Sequence, residues 1–196
     1  CLGLASKKIS PGQAVIIAAV LIISGCLFLL VTGFRPFILG CSGVILYNLL
    51  YTYLKRITTL AIIPGALVGS LPPLIGYSSA GGIVLNDKII FFAAFMFLWQ
   101  IPHFWLLLLR YGKEYQDAGF KTIYDHMNVK QIKLVTSFWV LMWSLLLVFF
   151  ACTEGIFNKG FTEALIILTA VFNILFFLSL FSGTNNKELR YSFPLL

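Results

Sequence analysis

Six apolar runs, each long enough to cross a bilayer as a helix, alternate along this chain with short polar segments. They extend roughly from Ala14 to Gly33, Phe37 to Leu54, Leu60 to Tyr77, Ile89 to Leu109, Val135 to Cys152 and Ala164 to Phe181. The pattern predicts an all-α, polytopic transmembrane bundle. In the third run Pro64, Pro72 and Pro73 remove backbone donors, so neighbouring helices must re-satisfy the freed carbonyls. The first run lacks a small-residue cleavage site and is followed directly by further spans, so it reads as a true helix and not as a leader.

Polar residues inside these runs are the informative exceptions, because a hydrogen-bonding side chain in hydrocarbon must face other helices or a cavity. Trp99-Gln100-Ile101-Pro102-His103-Phe104-Trp105 places Gln, Pro and His inside the fourth run, with Pro102 expected to kink it. Trp99, Gln100 and His103 fall at i, i+1 and i+4, and a neutral imidazole there can hydrogen-bond, relay protons or ligate a metal or haem iron. The second run ends in two helical rows, Tyr47/Tyr51/Lys55 and Asn48/Thr52/Arg56. Both converge on a cationic pair suited to phosphate or diphosphate oxygens. The loop after the fourth run carries Glu114 and Asp117, which on a helical turn would share one face and could hold Mg²⁺. Asn173 in the last run is expected to make an interhelical hydrogen bond, and the small residues from Pro64 to Gly76 permit close helix approach.

Composition agrees: of 196 residues 60% are hydrophobic and 11% charged, with a mean hydropathy of +0.96, which excludes a soluble globular protein. Cys1, Cys26, Cys41 and Cys152 lie in or near apolar runs without metal-ligand spacing and read as small packing residues. The net charge of +7 is read through its distribution, with no nucleic-acid partner expected. With six alternating spans, one side holds eleven basic residues (Lys7, Lys8, Lys55, Arg56, Arg110, Lys113, Lys121, Lys130, Lys133, Lys187, Arg190) and the other three (Arg35, Lys88, Lys159). The positive-inside rule assigns the first side to the cytoplasm. A basic mouth there would attract an anionic substrate or lipid headgroups.

In order, Tyr51-Thr52-Tyr53-Leu54-Lys55-Arg56, Pro64 to Gly76 with its Pro72-Pro73 pair, Trp99-Gln100-Ile101-Pro102-His103-Phe104, and Glu114-Tyr115 followed by Ala118-Gly119 form a sequence of motifs that resembles the UbiA-type intramembrane prenyltransferases. The Trp-Gln-Ile-Pro-His-Phe element resembles their haem-modifying branch, the protoheme IX farnesyltransferases. The resemblance covers most of the chain. It implies a helical bundle with a central cavity opening to the cytoplasm, and transfer of farnesyl from farnesyl diphosphate to a vinyl group of protoheme IX, giving haem O and diphosphate. It also implies Mg²⁺ bound through two acidic motifs. Carried onto this sequence, Lys55 and Arg56 would neutralise the diphosphate, Tyr51 would face the cavity, and Glu114 with Asp117 would serve the metal. Trp99, Gln100 and His103 would orient the haem, with axial ligation by His103 as one option.

The chain departs from the family pattern in three places. The family has about nine helices and an Asn- and Asp-rich motif upstream, whereas Leu4 to Ser10 resembles the segment just after that motif and Arg190 to Leu196 the start of a final helix. The sequence is therefore expected to be a fragment: one partial prenyltransferase domain over residues 1–196, six spans of nine, inactive alone. Glu114 stands where an Asp is usual, and the Met-Leu-Pro that often follows Ala-Gly is replaced around Thr122-Ile123-Tyr124. The expected setting is a bacterial inner membrane with the mouth cytoplasmic. The alternatives are a prenyltransferase for a quinone precursor or a chlorophyllide, and, from another class, a small-molecule transporter. A transporter would more naturally place charge at mid-bilayer and show two related halves.

Overall fold

The computed structural model describes residues 9–153 and 158–182, and these form six membrane-length helices with no strand among them. We label them α1 (Pro11–Thr32), α2 (Phe34–Leu54), α3 (Thr59–Ser79), α4 (Asp87–Asp117), α5 (Val129–Thr153) and α6 (Lys159–Ser182). The six predicted runs are all present, but most helices start earlier than the apolar pattern because polar caps lie upstream of it. Ser10 and Gln13 form a reciprocal cap at α1, with Ser10 N donating to Gln13 Oε1 at 3.0 Å and Gln13 N to Ser10 Oγ at 3.3 Å. Asn128 and Gln131 do the same before α5 at 2.9 Å each way, and Asn86 and Asn158 cap α4 and α6.

Each helix packs chiefly on its sequence neighbours, and Gly33 alone separates α1 from α2. Side chains at the same end of the bundle confirm the alternation of direction. The Thr32 and Ser79 hydroxyls, at the ends of α1 and α3, lie 3.3 Å apart. The rings of Phe91 on α4 and Phe150 on α5 stack at 3.8 Å near that same end. The buried core joins α3, α4, α5 and α6 through Ala66, Ile101, Leu106, Ile132, Val140 and Phe176. In α1 none of the apolar window is buried. As expected, Asn173 links α6 to α5, its Nδ2 donating to Ser144 Oγ at 2.7 Å. The thiols of Cys26 and Cys41 touch at 3.7 Å where α1 meets α2.

Two differences from the sequence reading bear on function. The segment expected as a loop after Arg110 is helical: α4 runs uninterrupted through Pro102 and continues to Asp117. It stops in a Schellman turn, with Gly119 N donating to Gln116 O at 2.9 Å and Phe120 N to Tyr115 O at 3.1 Å. Gly119 takes the left-handed position at φ +77°, and the rings of Tyr115 and Phe120 pack at 5.8 Å as the accompanying apolar contact. Second, α2 widens into a π-helical turn over Leu46–Tyr51, where the Thr52 hydroxyl reaches back to Tyr47 O at 2.9 Å. Lys7, Lys8, Lys187 and Arg190 of the charge count, the segment Leu4 to Lys8, Cys1 and the tail Arg190 to Leu196 lie outside the described residues.

Candidate functional site

At the end of the bundle where α2 finishes and α3 begins, a cavity of about 380 Å³ opens between the C-terminal halves of α2 and α4 and the loop after α4. Its size suits one small ligand, near the lower end of the usual range of roughly 300–1,000 Å³. This is the basic end of the molecule. Of the ten described Lys and Arg residues, seven lie there (Lys55, Arg56, Arg110, Lys113, Lys121, Lys130, Lys133) and three at the other (Arg35, Lys88, Lys159).

Three residues of α2 reach the cavity across the π turn. Tyr47, Tyr51 and Lys55 line it together, as the row predicted from spacing requires. Their rings and charge form one chain: Tyr47 and Tyr51 lie 5.3 Å apart, and Lys55 Nζ sits 5.4 Å from the Tyr51 ring and 5.5 Å from the Phe120 ring. The Lys55 ammonium is thus held at the mouth between an aromatic of α2 and one of the loop. The other predicted row does not share this wall. The Asn48 side chain caps Val44 O at 2.9 Å on the groove between α2 and α3, and Arg56 follows the helix in a turn, its N–H on Tyr53 O at 3.2 Å.

From α4, Phe104, Trp105 and Leu108 supply an apolar wall, and Tyr115 stands in the last turn of the helix. The Phe104 and Tyr51 rings approach to 6.4 Å across the cavity. Tyr51 can lie this close because Gly65 of α3 offers no side chain: a Cβ there would stand 3.1 Å from the Tyr51 ring. One turn further along α3, a Cβ on Gly69 would press on Gln100, 2.5 Å from Nε2 and 2.7 Å from Cδ. The Gly65/Gly69 row therefore receives the Phe104/Gln100 row, a close helix crossing made by small residues. Gln100 is consequently packed on α3 and is not part of the cavity wall. Trp99 and His103 stack on each other at 4.9 Å, deeper along α4 and likewise outside that wall.

Glu114 and Asp117 are exposed on the last turns of α4, either side of the cavity residue Tyr115, and neither lines the cavity. Among the described residues no group of three His, Cys, Asp or Glu is placed to hold a metal ion. Two carboxylates at i and i+3 have the hard-oxygen chemistry that Mg²⁺ takes, so they fit as a partial ligand set.

The loop after α4 contributes wall residues that spacing did not reveal: Phe120, Lys121, Thr122 and Ile123. It is anchored by Tyr124, whose hydroxyl donates to Leu108 O at 3.2 Å and whose ring lies on Gly112, where a Cβ would collide with it. Burial raises the Tyr124 phenol above its usual range. The Ala118-Gly119 pair is the signal that could have located this wall, since a Schellman turn reverses the chain over its own helix.

The profile of the UbiA prenyltransferase family matches residues 2–193. Protoheme IX farnesyltransferase of Geobacter sulfurreducens is 42% identical over 111 residues, covering 57% of this chain and 41% of that protein. The protein of the same name from Listeria monocytogenes is 32% identical over 140 residues, 71% of this chain and 46% of its own. That of Aquifex aeolicus is 45% identical over 95 residues, 48% and 31% respectively. In each case the matched stretch is less than half of the relative. No solved structure matches the chain.

Proposed function

Because the chain belongs to the UbiA prenyltransferase family and is a multi-pass membrane protein, we propose that it is a prenyltransferase domain acting on haem. The reaction joins the farnesyl C1 to the terminal carbon of a vinyl group of protoheme IX as the C–O bond to diphosphate breaks; water then adds to the adjacent carbon and loses a proton, giving haem O and diphosphate. Among the observations that support this reading, the cavity carries the most weight: a cationic mouth leads to an aromatic, apolar interior in a chain whose similar proteins are named for that reaction. Charge distribution supports a cytoplasmic mouth, and the bacterial sources of the similar proteins support a bacterial cell membrane as the setting.

The chemistry asks for two kinds of group. Departure of an allylic diphosphate builds negative charge on the leaving oxygens and positive charge on the prenyl carbon. Lys55, fixed between two rings, would take the first, with Arg56 just beyond it adding to the field. The faces of Tyr51, Phe104 and Trp105 would stabilise the second and exclude water from it. Glu114 and Asp117 would hold Mg²⁺ together with oxygens from diphosphate and water, and the ion would supply further neutralisation of the leaving group. The stacked Trp99–His103 pair offers a flat aromatic surface for the porphyrin, and Gln100 sets its position through α3. The volume of about 380 Å³ leaves room for one reactant, so the haem would lie beside this cavity and not within it.

Membranes containing the full-length protein, supplied with haem b and farnesyl diphosphate, should yield haem O by mass spectrometry, and His103→Ala should reduce it. Absence of any prenylated haem would overturn the reading.

A further inference from the structure

Thr122 is 2% exposed, yet it lines the cavity and its hydroxyl has no acceptor to donate to among the described residues. A dry donor is costly, and native structures rarely keep one without a use. Rotation of the loop does not relieve it. The Thr122 N–H is tied to Asp125 Oδ2 at 3.3 Å, and Tyr124 pins the next residues to α4 through Leu108 O and Gly112. Lys121 lines the same cavity, Lys55 lines it from α2, and no carboxylate of the described residues does. The buried donor therefore lies in the wall of a cavity whose lining carries two positive charges and no negative one.

We propose that Thr122 and Lys121 form an oxyanion subsite on the loop wall of the cavity, facing the Lys55 side. It would take a phosphate oxygen of the prenyl diphosphate, or a propionate carboxylate that reaches in from a haem lying beside the cavity, by a hydroxyl hydrogen bond reinforced by the ammonium. This rests on the prenyltransferase reading above.

The test uses the full-length protein in detergent with Thr122→Val, Thr122→Ser and Lys121→Gln. One arm titrates inorganic diphosphate. The other compares KM for haem b with KM for its dimethyl ester, which has no free carboxylates. Thr122→Val should weaken one arm by about tenfold to a hundredfold, the worth of a hydrogen bond to a charged group. Thr122→Ser should restore it, and Lys121→Gln should weaken the same arm. Loss in the titration identifies the diphosphate as the source; loss with haem b but not with its ester identifies the carboxylate. The Thr122 hydroxyl also faces the Asp125 N–H in the capping box of the turn, so the melting temperature of each variant is read beside its affinities, with Thr122→Ser as the control that keeps the hydroxyl. Unchanged affinities in both arms, or a lowered melting temperature with unchanged affinities, would overturn the subsite. The titration contains no haem, so a wild-type protein that binds diphosphate through Thr122 but prenylates another acceptor would refute the haem reading alone.

Discussion

Gly112→Ala is the smallest change that should disturb the loop wall. A Cβ at this buried position would stand 3.0 Å from Tyr124 Cδ2 and 3.2 Å from Cζ, and closer still to Cε2. These are ring atoms, and the ring is tethered at its far end by the hydroxyl on Leu108 O, so it cannot swing aside and keep that bond. Losing the bond costs about 1 kcal/mol, and overpacking a close contact costs about 1–3 kcal/mol. Alanine in place of a mid-helix glycine returns about 1 kcal/mol. The net expectation is a loss of about 1–3 kcal/mol, read as a lower unfolding midpoint in detergent and faster amide exchange over residues 118–127. In a Tyr124→Ala background the obstacle is gone, so Gly112→Ala should there be neutral or stabilising by up to about 1 kcal/mol. If the alanine costs the same in both backgrounds, the loop is not held by this contact and the reasoning fails.

Four further outcomes follow from the geometry. Lys55→Gln should raise KM for farnesyl diphosphate by about tenfold or more while Lys55→Arg keeps most of the affinity, because the charge is what the mouth supplies. Glu114→Gln and Asp117→Asn should each shift the Mg²⁺ dependence of turnover to higher concentration, with no shift if the carboxylates are only solvated charges. Ser144→Ala, which removes the interhelical partner of Asn173 and leaves its bond to Thr169 O, should lower stability by about 0.6–1.7 kcal/mol and leave turnover unchanged. Since burial raises the Tyr124 phenol, the folded state retains a proton that the unfolded chain releases above about pH 10. Its contribution to stability is complete below that pH and is lost as pH rises through the folded value; Tyr124→Phe should flatten this alkaline limb of a melting-temperature profile.

The spans and the Tyr47/Tyr51/Lys55 row were legible because both depend on local periodicity: apolar length for the first, helical spacing for the second. The row survived even the π turn beneath it, since all three residues line the cavity. Asn173 was legible for a related reason, a polar group in hydrocarbon needing a neighbour. What spacing could not give was the partner on another helix. Gln100 and His103 are one turn or less apart in sequence, yet Gln100 is committed to Gly69 of α3 while His103 stacks on Trp99. The end of α4 was misplaced because the apolar signal stops near Leu109 while the helix does not. Its last turns are polar and end only where Gly119 permits the left-handed turn. The loop wall was missed with it, since Lys121 and Thr122 join the cavity only once that turn folds them back.

The most direct measurement offers the full-length protein haem b and a quinone precursor together with labelled farnesyl diphosphate, and follows the label by mass spectrometry. The account predicts label on haem, as haem O, with one diphosphate released per product. Label on the quinone precursor with none on haem would contradict it.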